Sequence, residues 1–242
     1  MGAARPDGVT HRFFVDDEVG ERFTLRGDQA HQIASVLRLQ PGAHITLVRN
    51  GVETDVVLET VDTAEARGRC LAKRRVDAEP RVRLTLALPI LRGDRTEEVI
   101  EAVTQLGVSR IVPFVSSRSV VRALADAKRE RWTRVAREAA ETARRGRIPA
   151  IDEPREWGRL FEALETPVLV AWEGEALTKL ADALPATQQL SLVIGPEGGL
   201  SMDEIALAQT HDAVTVSLGP RNLRSETAAV AAVAQVMSIL DR

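Results

Sequence analysis

The tightest constraint on the fold lies between Leu190 and Arg224, where two apolar stretches each run into a glycine-containing turn. Residues 190–194 form a short apolar run closed by Gly195, the pattern of a buried strand. Gly195, Pro196, Glu197, Gly198 and Gly199 cannot extend a strand or open a helix cheaply. Ser201 and Glu204 then make an S-x-x-E capping box, so a helix begins there. Val214, Val216 and Leu218 alternate with polar residues and read as a second strand ending at Gly219-Pro220. Asn222 or Ser225 is placed to cap a last helix, with Glu226 in its first turn. Two strand ends thus deliver two glycine loops, and ligands of open α/β sheets bind beyond the carboxyl ends of strands.

The chemistry of the first loop argues against phosphate. A phosphate cradle needs successive free N–H groups and no negative charge. Pro196 removes a donor and Glu197 repels an anion. Neither G-x-x-x-x-G-K-[ST] nor a post-strand G-x-G-x-x-G is present, which also disfavours a nicotinamide enzyme. A nucleoside-like ligand held by backbone groups fits better; the alternative is a tight turn whose glycines serve geometry alone.

The same strand–helix rhythm extends upstream. Residues 84–90 (LTLALPI) read as a buried strand, 95–106 as a helix ended by Gly107, and 111–115 as the next strand. A long amphipathic helix over 128–145, a strand over 168–172 and a short helix over 176–184 follow. This β-α-β order implies a parallel sheet. The last helix, 225–240, is apolar almost all round and is therefore expected to be buried, in part against a second subunit. Before residue 77 the style changes. Strands at 11–15 and around Phe23 and Leu25, a helix over 28–39, an Asn50-Gly51 hairpin and a strand over 68–75 suggest a small β-rich barrel. The boundaries are 1–76 and 77–242, with residues 1–8 as a tail and the Pro80 region as linker.

Composition narrows the partners. Aromatic residues are only 3% and tyrosine is absent, so an aromatic stacking platform for RNA is disfavoured. With a net charge of −3, nucleic-acid contact must come from local basic patches. Arg12, His31, Arg38, Arg67, Arg69, Lys73, Arg74 and Arg75 gather positive charge in the first half; they contact phosphates or form a solvated face beside Asp16, Asp17, Glu18 and Glu21. Arg118, in SRSVVR, meets substrate or is an ordinary surface arginine. Arg144, Arg145 and Arg147 face phosphate or suit the negative end of the preceding helix. The single Cys70 excludes an internal disulfide and a cysteine-cluster metal site, and no metal is expected. No stretch is long and apolar enough for a membrane span, so a soluble cytoplasmic chain with no membrane partner is expected.

GPEGGLSMDE followed by LGPRNLRSETA resembles the paired signature of the family that methylates a uridine of small-subunit ribosomal RNA at N3, within the SPOUT class of S-adenosylmethionine-dependent methyltransferases. HQIASVLRLQPG, RSVV and RRGRIPAI match further family patterns. The resemblance implies a PUA-like N-terminal RNA-binding β-barrel, an α/β domain with a C-terminal deep trefoil knot, a homodimer, and small-subunit ribosomal RNA or the 30S particle as partner. It implies that S-adenosylmethionine contacts three loops, at Trp172, Glu173 and Gly174; at Ile194, Gly195, Pro196, Gly198 and Gly199; and at Leu218, Gly219, Asn222, Leu223 and Arg224, with Thr227 and Ala228 beneath its methionine part. With that resemblance Arg12, His31, Arg38, Arg118, Arg144, Arg145 and Arg224 are candidate RNA contacts. Arg118 or Arg224 would stabilise a uridine anion; Glu197 and Glu226 are alternative proton acceptors, and no base is assigned. The chain departs from the family pattern at Ala102, Gln105, Thr142, Asn222 and Ser225, which bears on substrate contacts. Ribose 2′-oxygen methylation and non-catalytic RNA binding in ribosome assembly are the competing functions.

Overall fold

A computed structural model describes residues 11–121 and 126–241; the expected tail at 1–8 and Arg122 lie outside the described residues. The described residues form two units, one running to Glu79 and including Arg144–Arg147, the other comprising Pro80–Ala143 and Ile148 onwards.

In the first unit, β1 (His11–Phe14), β2 (Arg22–Arg26), β3 (His44–Arg49), β4 (Val52–Val61) and β5 (Glu65–Arg75) form a curled sheet of order β1-β3-β4-β5-β2. Among the described pairings β1 and β2 are its edges, so the expected barrel is an open half-barrel. Alternation drives it: Phe23 and Leu25 of β2 point inward with Ile45, Leu47, Val56 and Leu58, while Arg22, Thr24 and Arg26 point out. Asn50 and Gly51 both adopt positive φ, 50° and 78°, as the two-residue β3–β4 hairpin requires. The helix expected over 28–39 is shorter: α1 (Asp28–His31) widens into a π-helical turn over Gln32–Val36, where the Leu37 N–H donates to the Gln32 carbonyl.

Two of the candidate RNA contacts are corrected here. Arg145 is 2% exposed; its Nε and Nη2 donate to the Glu79 carboxylate, each at 3.2 Å. That carboxylate also accepts the N–H groups of Gly146, at 2.8 Å, and Arg147, at 3.2 Å. The Arg12 guanidinium is buried against Glu53 and donates to the carbonyls of Arg144 and Arg145. Both guanidiniums are buried against carboxylates and so turned away from a phosphate. His31, Arg38 and Arg144 remain exposed, Arg38 and Arg144 in positive φ.

The second unit is an α/β sandwich. Its strands are β6 (Arg83–Pro89), β7 (Arg110–Val115), β8 (Ala150–Ile151), β9 (Arg155–Glu156), β10 (Val168–Ala171), β11 (Gln189–Ile194) and β12 (Val214–Val216). The order is β12-β10-β11-β6-β7-β8, with β9 also on β7, and every pairing is parallel. Its helices are α2 (Arg95–Gln105), α3 (Asp126–Thr142), α4 (Trp157–Leu160), α5 (Leu180–Ala183), α6 (Met202–Thr210) and α7 (Ser225–Leu240). Period-two alternation sorts the strand side chains between two cores. Leu84, Leu86, Leu190, Leu192 and Leu169 join α2, α3 and α7 on one face; Ala87, Val193, Val168 and Val170 join α4 and α6 on the other. Each fully buried leucine contributes about 1.5–3 kcal/mol by leaving water.

Candidate functional site

Register brings the loops to one edge. Ala171 lies opposite Ile194 of β11 and Val216 of β12, so three parallel strands finish on one line and their following loops open together.

The loop after β10 is laced to the loop after β12. The Trp172 N–H donates to the Val216 carbonyl, the Ser217 N–H to the Thr178 carbonyl and the Leu180 N–H to the Ser217 carbonyl. The Trp172 ring covers Gly174, where a Cβ would stand 2.3 Å from the indole. The helix expected over 176–184 shrinks to α5 because the Glu175 carboxylate captures the N–H groups of Leu177 and Thr178. Those two bonds, Thr178's first, and the Thr215 hydroxyl hold the Glu175 carboxyl below its ordinary range.

The loop after β11 is a shaped cradle. The Gly199 N–H donates to the Pro196 carbonyl, and Gly199 sits at φ 69° with Glu173 Oε1 2.0 Å from where a Cβ would be. Gly198 is covered by Arg118, whose Cβ and carbonyl oxygen stand 3.0 Å from a Cβ there and whose Nη1 donates to the Gly198 carbonyl at 3.3 Å. Only glycine serves at either position without displacing these neighbours. The capping box forms as expected, Ser201 Oγ accepting the Glu204 N–H and Glu204 accepting the Ser201 N–H. Glu204 reaches further: its Oε1 accepts the Ser117 N–H at 2.8 Å and so anchors the turn that presents Arg118.

The loop after β12 leads into α7. Leu218 and Leu223 are half-buried, Gly219 has φ 110°, and Asn222, Arg224 and Thr227 are exposed. Neither Asn222 nor Ser225 caps α7. Arg224 occupies the cap position without a side-chain bond, and the Ser225 hydroxyl is spent on the Gly195 carbonyl at 2.8 Å. That bond joins the second and third loops directly. Ile194 and Pro196 are buried, Glu173 and Gly174 exposed, and Ala228 packs partly against the core.

A further residue, Arg95, carries no motif that marks it in the sequence. Its Nη1 lies 3.9 Å from both Glu197 Oε1 and Glu226 Oε1. The nearby Arg92 N–H donates to Glu197 at 3.4 Å. An arginine at the first position of α2 opposes the positive end of that helix, and the two carboxylates offset this. Buried Glu226 Oε2 has no hydrogen-bond partner among the described residues.

A family model described as an RNA methyltransferase domain matches residues 78–237. The ribosomal RNA small subunit methyltransferase E of Bacillus subtilis is 32% identical over 93% of this chain and 95% of its own length. That of Mycobacterium bovis is 34% identical over 97% and 94%. The chain belongs to the ribosomal RNA small subunit methyltransferase E family. A methyltransferase E of Neisseria gonorrhoeae, solved bound to S-adenosylmethionine, superposes with a TM-score of 0.86 at 28% identity, covering 95% of this chain and 97% of the other. A Legionella pneumophila methyltransferase, also solved with the cofactor, gives 0.87 at 28% identity and the same coverage. Among the described residues the chain has no group of three or more His, Cys, Asp or Glu able to hold a metal ion, and no helix long and apolar enough to cross a membrane.

The acid limb of stability follows from the loop carboxylates of this family member. Burial pulls the Glu204 carboxyl upward, but the N–H groups of Ser201 and Ser117 outweigh it and hold it below the ordinary 4.5. The folded state therefore binds fewer protons than the unfolded state. The stabilisation from Glu204 and Glu175 is full above that pH and is lost as pH falls through their lowered values. Glu204→Ala is expected to cost about 1–2 kcal/mol at neutral pH and to flatten the acid side of the Tm–pH profile, as measured by calorimetry. An unchanged profile contradicts the assignment.

Proposed function

We propose that this chain transfers the methyl group of S-adenosylmethionine to N3 of a uridine in small-subunit ribosomal RNA. The observation that carries the proposal is the convergence of three backbone loops at the carboxyl edge of the parallel sheet, in a chain of this family. The loops fit the cofactor on their own terms. Gly198 and Gly199 let Arg118 and Glu173 close against the loop after β11, which draws the neighbouring loops to it, and the unpaired oxygen of Glu226 is an acceptor of the right sign for a cationic ligand.

The cofactor supplies an electrophilic methyl on a sulfonium, so the chain's task is binding and alignment. Ile194, Gly195, Pro196, Gly198 and Gly199 present carbonyls and N–H groups from one side, with Trp172, Glu173 and Gly174 and with Leu218, Gly219, Asn222 and Leu223 completing the rim. Thr227 and Ala228, at the start of α7, would hold the methionine end. Uridine N3 must pass its proton to water or to a carboxylate such as Glu197 or Glu226 to become a nucleophile, and the exposed guanidinium of Arg118 or Arg224 would stabilise the charge left on the base. N3 lies on the pairing edge, so the base must be unpaired or taken from its stack.

Residues 1–76 serve as a PUA-like RNA-binding domain and residues 77–242 as a SPOUT catalytic domain whose C-terminal segment is threaded as a trefoil knot. The chain acts as a cytoplasmic homodimer on RNA or the assembled subunit. Half-buried Ala231 and Ala234 of α7 support the dimer, since they leave an apolar strip for a second copy. Labelled S-adenosylmethionine with small-subunit particles from a strain lacking the activity is expected to give one methyl per particle. Mass spectrometry of the digest is expected to place it on the base. Label on ribose supports 2′-oxygen methylation instead, and no transfer by folded, cofactor-binding protein supports a non-catalytic role.

A further inference from the structure

We propose that the outward face of β2 and β5 docks the phosphate backbone of RNA. The inference rests on the reading that RNA is the substrate; it takes Arg67 and Arg69 from the basic residues noted in the sequence and joins to them Arg22 and Arg26, which no motif marked. Inward Phe23, Leu25 and Ala66 force Arg22 and Arg26 of β2 and Arg67 and Arg69 of β5 to the outside, where their side chains are 56–78% exposed. Arg22 is directly opposite Arg69 in the antiparallel register, an arrangement that like charge disfavours.

Two carboxylates hold the four arginines in place. Glu59 lies 3.4 Å from Arg22 and 3.8 Å from Arg69, and Glu65 is shared by Arg26, at 2.8 Å, and Arg67. Both of these arginines hold the Glu65 carboxyl below its ordinary range, Arg67 foremost. Four guanidiniums on two carboxylates leave a net positive row, and each guanidinium carries five donors in a planar fork, more than a shared carboxylate can accept. Residues two apart on a strand recur about every 7 Å, so the row repeats along two strands and is not concentrated at a point. That shape suits a repeating polyanion better than a single small anion. The remaining outward residue of β2 is Thr24, so this strand offers charge without a ring to stack on a base. The face would position RNA without reading sequence.

The test uses the full chain, a small-subunit ribosomal RNA transcript and fluorescence anisotropy over a range of salt. R22Q/R26Q/R67Q/R69Q is expected to weaken binding at least about tenfold, and to flatten the dependence of log K on log salt by roughly 0.7–0.9 for each phosphate the variant no longer neutralises. E59Q/E65Q is expected to tighten binding, the opposite of what loss of a merely structural ion pair produces. The two half-variants R22Q/R69Q and R26Q/R67Q, checked by circular dichroism, keep the test decisive where the quadruple variant does not fold. Cofactor affinity should be unchanged in all of them. Wild-type RNA affinity and salt slope in the folded arginine variants overturn the proposal, leaving the face for an acidic protein. A wild-type chain that neither binds nor methylates the transcript or small-subunit particles defeats the substrate reading itself.

Discussion

Gly195→Arg is expected to weaken S-adenosylmethionine binding by about a hundredfold or more, close to 3 kcal/mol, while leaving the first unit folded. Gly195 stands where β11 ends. A Cβ there meets Leu200 Cγ at 3.3 Å, and its carbonyl accepts the Ser225 hydroxyl that ties the loop to α7. A long side chain must therefore move the loop or enter the space the three loops enclose. Its charge also repels a sulfonium in a site partly screened from water. Leu223→Arg, from the half-buried end of the third loop, is expected to act in the same direction. Titration calorimetry reads both. Affinity retained in both variants contradicts the pocket, and circular dichroism confirms that a loss is local.

Glu79→Ala is expected to give the largest stability loss, about 3 kcal/mol or more, because it removes the carboxylate that a buried guanidinium and two backbone N–H groups rest on. The carboxylate receives both the Arg145 bonds and two backbone N–H groups, from Gly146 and Arg147. Arg145, at 2% exposure, has no route to water without unseating the segment. The Gly146 carbonyl holds the Gly51 N–H, and a Cβ on Gly146 would lie 2.8 Å from the Gly51 Cα, so loss of the segment also disturbs the β3–β4 hairpin. Chemical denaturation should show the loss. Glu79→Gln, which keeps an acceptor, should recover part of it. A cost below about 1 kcal/mol, the range of an exposed pair, contradicts this account.

These two variants mark what is and is not legible in the sequence. The parallel strands are legible because burial on both faces makes residues 84–90, 168–172 and 190–194 apolar runs. The glycine loops stand out because Gly195, Pro196, Gly198 and Gly199 interrupt such a run, and Ser201 with Glu204 marks the next helix through a purely local pattern. Pairs distant in the chain leave no such trace. Arg12 meets Glu53 across 41 positions and Arg145 meets Glu79 across 66, so both arginines read as surface cations until the fold buries them. Glu175 suppresses part of an expected helix with the help of Thr215, 40 residues away. β8 and β9, two residues each, are too short to carry a period. In the site itself the backbone is readable and the side chains around it are not. Glu173 over Gly199, Arg118 over Gly198 and Arg95 between Glu197 and Glu226 all depend on which loops the sheet brings together.

A crystal structure of this chain soaked with S-adenosylmethionine is the most direct test. The donor should lie against Trp172 to Gly174, Ile194 to Gly199 and Leu218 to Leu223, touching mostly main-chain atoms, with its methyl open toward Arg118 and Arg224. Density for the donor at another place, with these three loops free of it, would contradict the account.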